Sequence, residues 1–184
     1  MGTIKIGSSA NKKGITVNPS VVLFNGNNVK KIMSGLTTIW EDIHALIPTM
    51  TSNTSSEGTA SANSGNDTAY LAFDNNTSTS WFASGHSNVA VQFKFNTARK
   101  VTYFDIHPAY ESSYLRVKNF KLQGSNNGST WTDLYSGSFS SNTNVGKKTY
   151  NISNPQSFTY YRLLVVDTHE NVLAGITELQ LYGS

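Results

Sequence analysis

An all-β sandwich with a small β region ahead of it is the fold class this sequence predicts, and three observations predict it. The stretch "NVAVQFKFN" alternates strictly, with Val89, Val91, Phe93 and Phe95 on one face and Ala90, Gln92 and Lys94 on the other, which is the period of a half-buried strand. Further short apolar runs follow at intervals, separated by Asn/Gly/Ser turns, as in a sandwich or barrel. Only 14% of the 184 residues are charged, and Ser, Thr, Asn and Gly fill the gap beside 9 Tyr and 9 Phe. Ser, Thr and Asn compete for backbone hydrogen bonds and disfavour helix, while Tyr and Phe fit pleated, half-buried surfaces.

The elements follow in order. Residues 1–47 read as a small β region: "TIKIG" alternates, "GITV" follows a turn, and "SVVLF" runs into "NGNN". Asn25-Gly26 is a tight-turn signal between apolar runs. The pieces "VVLFNGNN" and "KKIMSGLT" look like two copies of one hairpin unit. The region is too short to bury a generous core alone. It is expected to dock on the following domain, on another copy or on a larger assembly. A short helical turn is expected over "EDIHALI", with acidic residues in its first turn and Pro48 ending it.

Residues 48–184 read as the sandwich. The polar stretch "TSNTSSEGTASANSGNDTAY" is either a linker or an irregular lead-in wrapped around it. After 89–95 a short polar turn is expected, then a strand over "KVTYFDIHP". "FKLQGSNNGSTWTDLYSG" reads as strand, Asn/Gly turn, strand. "YYRLLVVD" is nearly all apolar and predicts a strand buried on both sides. "ITELQLYG" closes the chain on a strand.

Composition excludes several functions. The net charge is +3, and its basic pairs (Lys12-Lys13, Lys30-Lys31, Arg99-Lys100, Lys147-Lys148) are scattered, unlike a nucleic-acid groove. There are no cysteines, so neither disulfides nor thiolate metal sites form. No apolar run is long enough to span a membrane. "MGTIKIGSSANKKG" lacks the apolar core of a signal peptide, so export by that route is not expected. "NGS" at Asn127 and "NIS" at Asn151 read as chance matches to the glycosylation pattern. No enzyme is expected. "THENVLAG" has Leu173 where a zincin's second His would stand, no nucleophile elbow occurs, and no two carboxylates show the spacing of a glycosidase pair.

"AFDNNTSTSWFAS", residues 72–84, combines one Asp, a polar turn and a Trp-Phe pair. Asp74 either caps its own turn or contributes a carboxylate to a cation held with backbone carbonyls. The aromatics either pack a core or stack on a ligand.

Five segments in order resemble the discoidin, or coagulation-factor type C, domain, the galactose-binding-like β-sandwich (jelly roll) used by many carbohydrate-binding modules. They are "AFDNNTSTSW", "VAVQFKFNTARKVTYFDIHP", "FKLQGSNNGSTWTDLYSG", "YYRLLVVD" and "GITELQLYG". The resemblance covers roughly residues 50–184. It implies a structural Ca²⁺ held by Asp74, Asn76 and Thr79 in the turn and by Glu178 on the last strand. The family's Asp-Gly is Asp74-Asn75 here, and Asn also tolerates left-handed geometry. Trp81 is expected in the core.

The resemblance further implies a saccharide site on loops at one end. The candidates are Phe82 and His86 in "WFASGHSN"; His107, Tyr110, Tyr114 and Arg116 in "HPAYESSYLRVKN"; and His169 and Asn171, beside Glu170, in "DTHENVLAG". His107 falls near a position where carbohydrate-binding relatives carry a His or Arg. Membrane-binding relatives carry apolar spikes at these tips, where this chain has Ser, Asn, His and Tyr, so no membrane partner is expected.

The first forty residues are similar to N-terminal regions of phage tail and virion proteins. This implies a virion protein of the tail, baseplate or neck, assembled in the host cytoplasm beside other virion proteins. Its C-terminal module would bind a bacterial cell-wall or surface saccharide, and a homo-oligomer would add avidity. The alternative is a purely structural virion or decoration protein that uses the sandwich for protein contacts.

Overall fold

The computed structural model describes residues 43–109, 116–140 and 146–184 in full, together with the backbone pairing of five strands before them. The chain divides into two compact units, Met1–Ile43 and His44–Ser184.

In the first unit, β1 (Ile4–Lys5) pairs antiparallel with β2 (Thr16–Val17). β3 (Val21–Asn25), β4 (Asn28–Ser34) and β5 (Thr37–Glu41) form an antiparallel meander in that order. Asn25 pairs with Asn28, so both arms of the expected hairpin are present. Gly26 itself lies outside the described residues.

The second unit is an antiparallel sandwich. Its strands are β6 (His44–Ala45), β7 (Gly58–Ala62), β8 (Trp81–Ala83), β9 (Val89–Pro108), β10 (Val117–Ser125), β11 (Thr132–Ser138), β12 (Lys148–Asn151), β13 (Ser157–Thr168) and β14 (Ala174–Gly183). One layer runs β11-β10-β13-β9, with β7 on the far side of β9. The other runs β12-β9-β14, with β6 and β8 side by side along the outer edge of β14. β9 belongs to both layers. Its first half pairs with β13 and β7, and its second half pairs with β14 and β12.

No turn interrupts β9 at 96–100, where a short polar turn was expected. The strand bulges there: between the Lys94–Tyr160 and Arg99–Phe158 pairs β9 carries four residues and β13 one, and the Asn96 N–H bonds to the Glu57 carbonyl. Tyr161 fixes the bulge from the facing strand: its hydroxyl donates to the Arg99 carbonyl at 2.7 Å and accepts from the Val101 N–H at 3.4 Å. Burial pushes the Tyr161 phenol up to about 12, so it stays a hydrogen-bond donor at any physiological pH.

The core lies between the layers. The alternation read at 89–95 holds: Val89, Val91, Phe93 and Phe95 are buried. Phe73, Phe93, Phe95, Tyr161 and Phe158 form one run of edge-on aromatic contacts. Trp81 is fully buried in the same core. β13 is not buried on both sides as "YYRLLVVD" suggested. Tyr161, Leu163 and Val165 face the core, while Tyr160, Arg162 and Leu164 are only half-buried. Arg162 stacks its guanidinium 4.0 Å from the Trp131 ring, so long side chains cover that outer face in place of a second layer.

Two lead-in expectations change. "EDIHALI" forms no helix among its described residues, 43–47. His44 and Ala45 extend along β14 against Gly183 and Tyr182, which carries Leu46 and Ile47 into the sandwich core. The polar stretch 51–70 wraps the sandwich as a lead-in rather than a linker. It adds β7 to the sheet and a 3-10 helix, Asn66–Ala72, whose Ala69 and Ala72 are buried.

Candidate functional site

Three connections leave the strands at one end of the sandwich: 84–88 between β8 and β9, the one that begins at Ala109 after β9 and ends at Arg116 before β10, and 169–173 between β13 and β14. The Asn88 N–H donates to the Val166 carbonyl, and the His169 N–H donates to the Arg116 carbonyl at 2.9 Å.

Phe82 is the apolar feature of this end. β8 alternates buried, exposed, buried, so Trp81 and Ala83 turn inward and Phe82 turns outward. It is 45% exposed. Opposite it on β14 stands Gly175. A Cβ there would lie 3.0 Å from the Phe82 ring and 3.0 Å from the Ala109 methyl, so the bare glycine gives the ring a floor. Phe82 is held from below as well. The Phe82 carbonyl passes 2.0 Å from where a Cβ on Gly65 would stand, and Gly65 has φ +66. Gly65→Ala is therefore expected to cost about 2 kcal/mol or more, from left-handed strain plus the clash, and to weaken any ligand that rests on Phe82. Urea denaturation and a binding isotherm on the same variant check both halves.

The polar candidates lie on the connections at this end. Arg116 pairs with Glu170 across two loops. His169 bonds through Nε2 to the Phe139 carbonyl at 3.0 Å. Asn171 takes left-handed geometry at φ 54 and turns the third loop. His86 is half-buried, and its Nδ1 has no hydrogen-bond partner among the described residues. Val172, 44% exposed, is a single aliphatic tip that the sequence reading did not single out. Tyr110 and Tyr114 lie outside the described residues.

His107 stands apart from this group. It lies on the body of β9 in register with Glu178 of β14, on the outer face of that layer and away from the loop tips. Burial, then the Lys147 charge, lowers its pKa, so it is neutral at pH 7.

The turn at 74–79 folds against the same face. The Asn76 N–H donates to Asp74 Oδ1 at 3.0 Å, and the Thr79 hydroxyl reaches Asp74 Oδ2 at 2.6 Å and the Asn76 carbonyl at 2.9 Å. Asn75 has φ 53, so the left-handed position that the family gives to Gly is taken by Asn. Asp74 thus caps its own turn. Glu178 is only 9% exposed, and neither of its carboxylate oxygens finds a hydrogen-bond partner among the described residues. Burial first, then the nearby Asp74 charge, pushes it up to about 8. The Asn75 and Asn76 N–H groups approach closely enough to ease that shift without closing a hydrogen bond.

A buried carboxylate with no donor beside a second carboxylate is costly unless protonated or paired with a cation. That orphaned pair fits Ca²⁺, a hard ion taking oxygens from carboxylates, carbonyls and hydroxyls. Asp74, Glu178, the Asn76 carbonyl and Thr79 are the oxygen donors at hand. Among the described residues no group of three or more His, Asp or Glu comes together, so backbone oxygens would complete any such shell.

These features define an antiparallel β-sandwich whose connections 84–88 and 169–173 lie at one end. The chain belongs to the F5/8 type C domain family, whose model matches residues 52–179. Its fold is similar to that of the family 32 carbohydrate-binding module of Clostridium perfringens NanJ, solved with galactose. That match has 24% identity and a TM-score of 0.62, over 77% of this chain and 99% of that one. The module CpGH89CBM32-5 from Clostridium perfringens, solved with GalNAc-β-1,3-galactose, is 16% identical with a TM-score of 0.59, over 67% and 94% of the two chains. The chitosan-binding module 1 of a Paenibacillus sp. IK-5 chitosanase/glucanase is 18% identical with a TM-score of 0.57, over 76% and 100%. At these identities the likeness carries the fold. A search of curated proteins gave no match. Among the described residues no helix is long and apolar enough to cross a membrane.

Proposed function

We propose that the C-terminal module binds a saccharide at its loop end, and that the protein is a phage virion component using this module to hold the host surface during adsorption. The observation that carries the first half is the exposed Phe82 ring, floored by Gly175, at the end of the sandwich where Arg116 and Glu170 pair between two connections. The C–H face of a pyranose packs on such a ring while charged and amide groups take its hydroxyls. Small-ligand sites usually combine an apolar platform with a few polar groups that fix orientation. Family neighbours solved with galactose and with GalNAc-β-1,3-galactose agree with that ligand class.

The second half rests on the N-terminal resemblance and on the small meander β3-β4-β5, a unit of its own suited to attachment. Ca²⁺, held by Asp74, Asn76, Thr79 and Glu178, would brace the turn that leads into β8 and so into Phe82. Its contribution is charge compensation and cross-linking.

Purified protein should pull down with host-type cell walls saturably, and Phe82→Ala should weaken this by about tenfold or more while leaving the melting temperature within a few degrees. Equal binding by wild type and variant would remove the loop end from the account. No binding by a folded, multivalently presented wild type would favour the purely structural virion role.

A further inference from the structure

A second site lies on the outer face of the β12-β9-β14 layer. It is a cleft of about 410 Å³, and Phe82 is not among its walls. Its size is that of a small-molecule pocket. The segment at Ile47 and Pro48 makes one wall, the outer faces of β9 and β14 with His107, Glu178 and Tyr182 make the floor, and Lys147 also lines it; through Glu178 the cleft borders the candidate cation turn. The segment wall is fixed to the floor: the Leu46 N–H donates to the Leu181 carbonyl at 2.8 Å, and Gln180 Nε2 donates to the Ile47 carbonyl at 3.2 Å. The cleft is therefore formed before any ligand arrives, which spares the ordering cost of binding.

Its chemistry is specific. Tyr182 stacks one face on Tyr103 at 4.4 Å. Its neighbour across the sheet is the exposed Ala45, whose methyl leaves room beside the ring. Asp105, buried beneath, holds Lys147 Nζ at 2.9 Å, the Thr149 hydroxyl at 2.5 Å and the Tyr182 hydroxyl at 3.2 Å. It thereby orients Lys147 and Tyr182. Lys147 keeps donors to spare, and its side chain is 63% exposed. The Lys147 charge is already paired with Asp105, so it is not available to select an acid.

We infer that this cleft is a binding site for a neutral saccharide ring, separate from the loop end. The ring's C–H face would meet Tyr182 and Pro48, and its hydroxyls would meet Lys147, His107 and the Tyr182 hydroxyl. A polyol uses donors, acceptors and an aromatic wall together. Phosphates and acyl chains do not.

The test is amide chemical-shift mapping of the full chain, titrated separately with galactose, N-acetylgalactosamine, glucose and glucuronate. At least one neutral sugar should shift the amides of Lys147, Gln180 and Tyr182. Lys147→Ala and the space-filling Ala45→Phe, at an exposed position that leaves the Lys147–Asp105 pair in place, should each weaken those shifts about tenfold, with the melting temperature of each variant read alongside. Phe82→Ala should leave them unchanged. The inference is overturned if no neutral sugar shifts these amides, if glucuronate alone does, if neither cleft variant matters, or if Phe82→Ala abolishes the cleft shifts. Loop-end binding is read separately, at the amides of residues 82–88, so either site can fail without the other.

Discussion

Chelating divalent cations from this protein is expected to lower its melting temperature far more at pH 8 than at pH 5. The cause is Glu178, whose carboxyl burial and the Asp74 charge push from 4.5 up to about 8 in the cation-free fold. The folded pKa then lies above the unfolded one. The folded protein keeps a proton that the unfolded chain releases, so cation-free stability falls as pH rises from about 4.5 to about 8. The full loss is on the order of 5 kcal/mol, or roughly 10–20 °C for a chain of this length. A bound Ca²⁺ needs both carboxylates ionised, so it should rescue stability at the alkaline end and do little at the acid end. Glu178→Gln should flatten both the pH dependence and the cation effect. Thermal scans at three pH values, with EDTA or with Ca²⁺, decide it. Identical curves at pH 8 with and without Ca²⁺ would remove the cation from the account.

Trp81→Ala should cost about 3–5 kcal/mol, the range for deleting a large buried aromatic, and that is enough to unfold many domains of this size. The ring is fully buried in the core, and its Nε1–H donates to the Ser64 carbonyl at 3.0 Å. The substitution therefore opens a cavity and also frees the lead-in, whose Ser64 hydroxyl accepts the Ser84 N–H at 2.9 Å. Trp81→Phe should keep most of the packing and lose mainly the hydrogen bond, for about 1–2 kcal/mol. Urea denaturation of the two variants separates the terms. A loss under about 1 kcal/mol for Trp81→Ala would contradict the packing described.

What could be read from the sequence was whatever depends on local period. Residues 89–95 announce their faces, and Trp81 and the closing strand fall where the family pattern places them. What stayed hidden depends on distant partners. "HALI" carries acidic and apolar neighbours like a helix start. Its geometry is set by pairing with Tyr182 and Gly183 at the other end of the chain. "NTARK" is polar and reads as a turn, yet it stays extended because Tyr161 anchors the bulge. β7 consists of Gly, Thr, Ala and Ser, with no apolar alternation to announce a strand.

The site divides in the same way. Phe82 ends a short strand, and His86, Arg116, His169 and Asn171 lie on connections that adjacent strands bring to one end, where Arg116 bonds to His169 and Glu170. His107, assigned to that group by position, falls on a strand facing Glu178. The outer cleft draws on residues 45–49, 105–107, 147 and 178–182. No local pattern marks them, and only the register of β9, β12, β14 and the lead-in brings them together.

The most direct test of the central claim is a glycan array probed with multivalent wild-type protein and with Phe82→Ala in parallel. The account predicts a defined set of saccharide ligands for wild type, galactose-type sugars among the first to examine, and loss of most of that signal in the folded variant. An unchanged pattern in Phe82→Ala, or no saccharide signal from folded wild type, would contradict it.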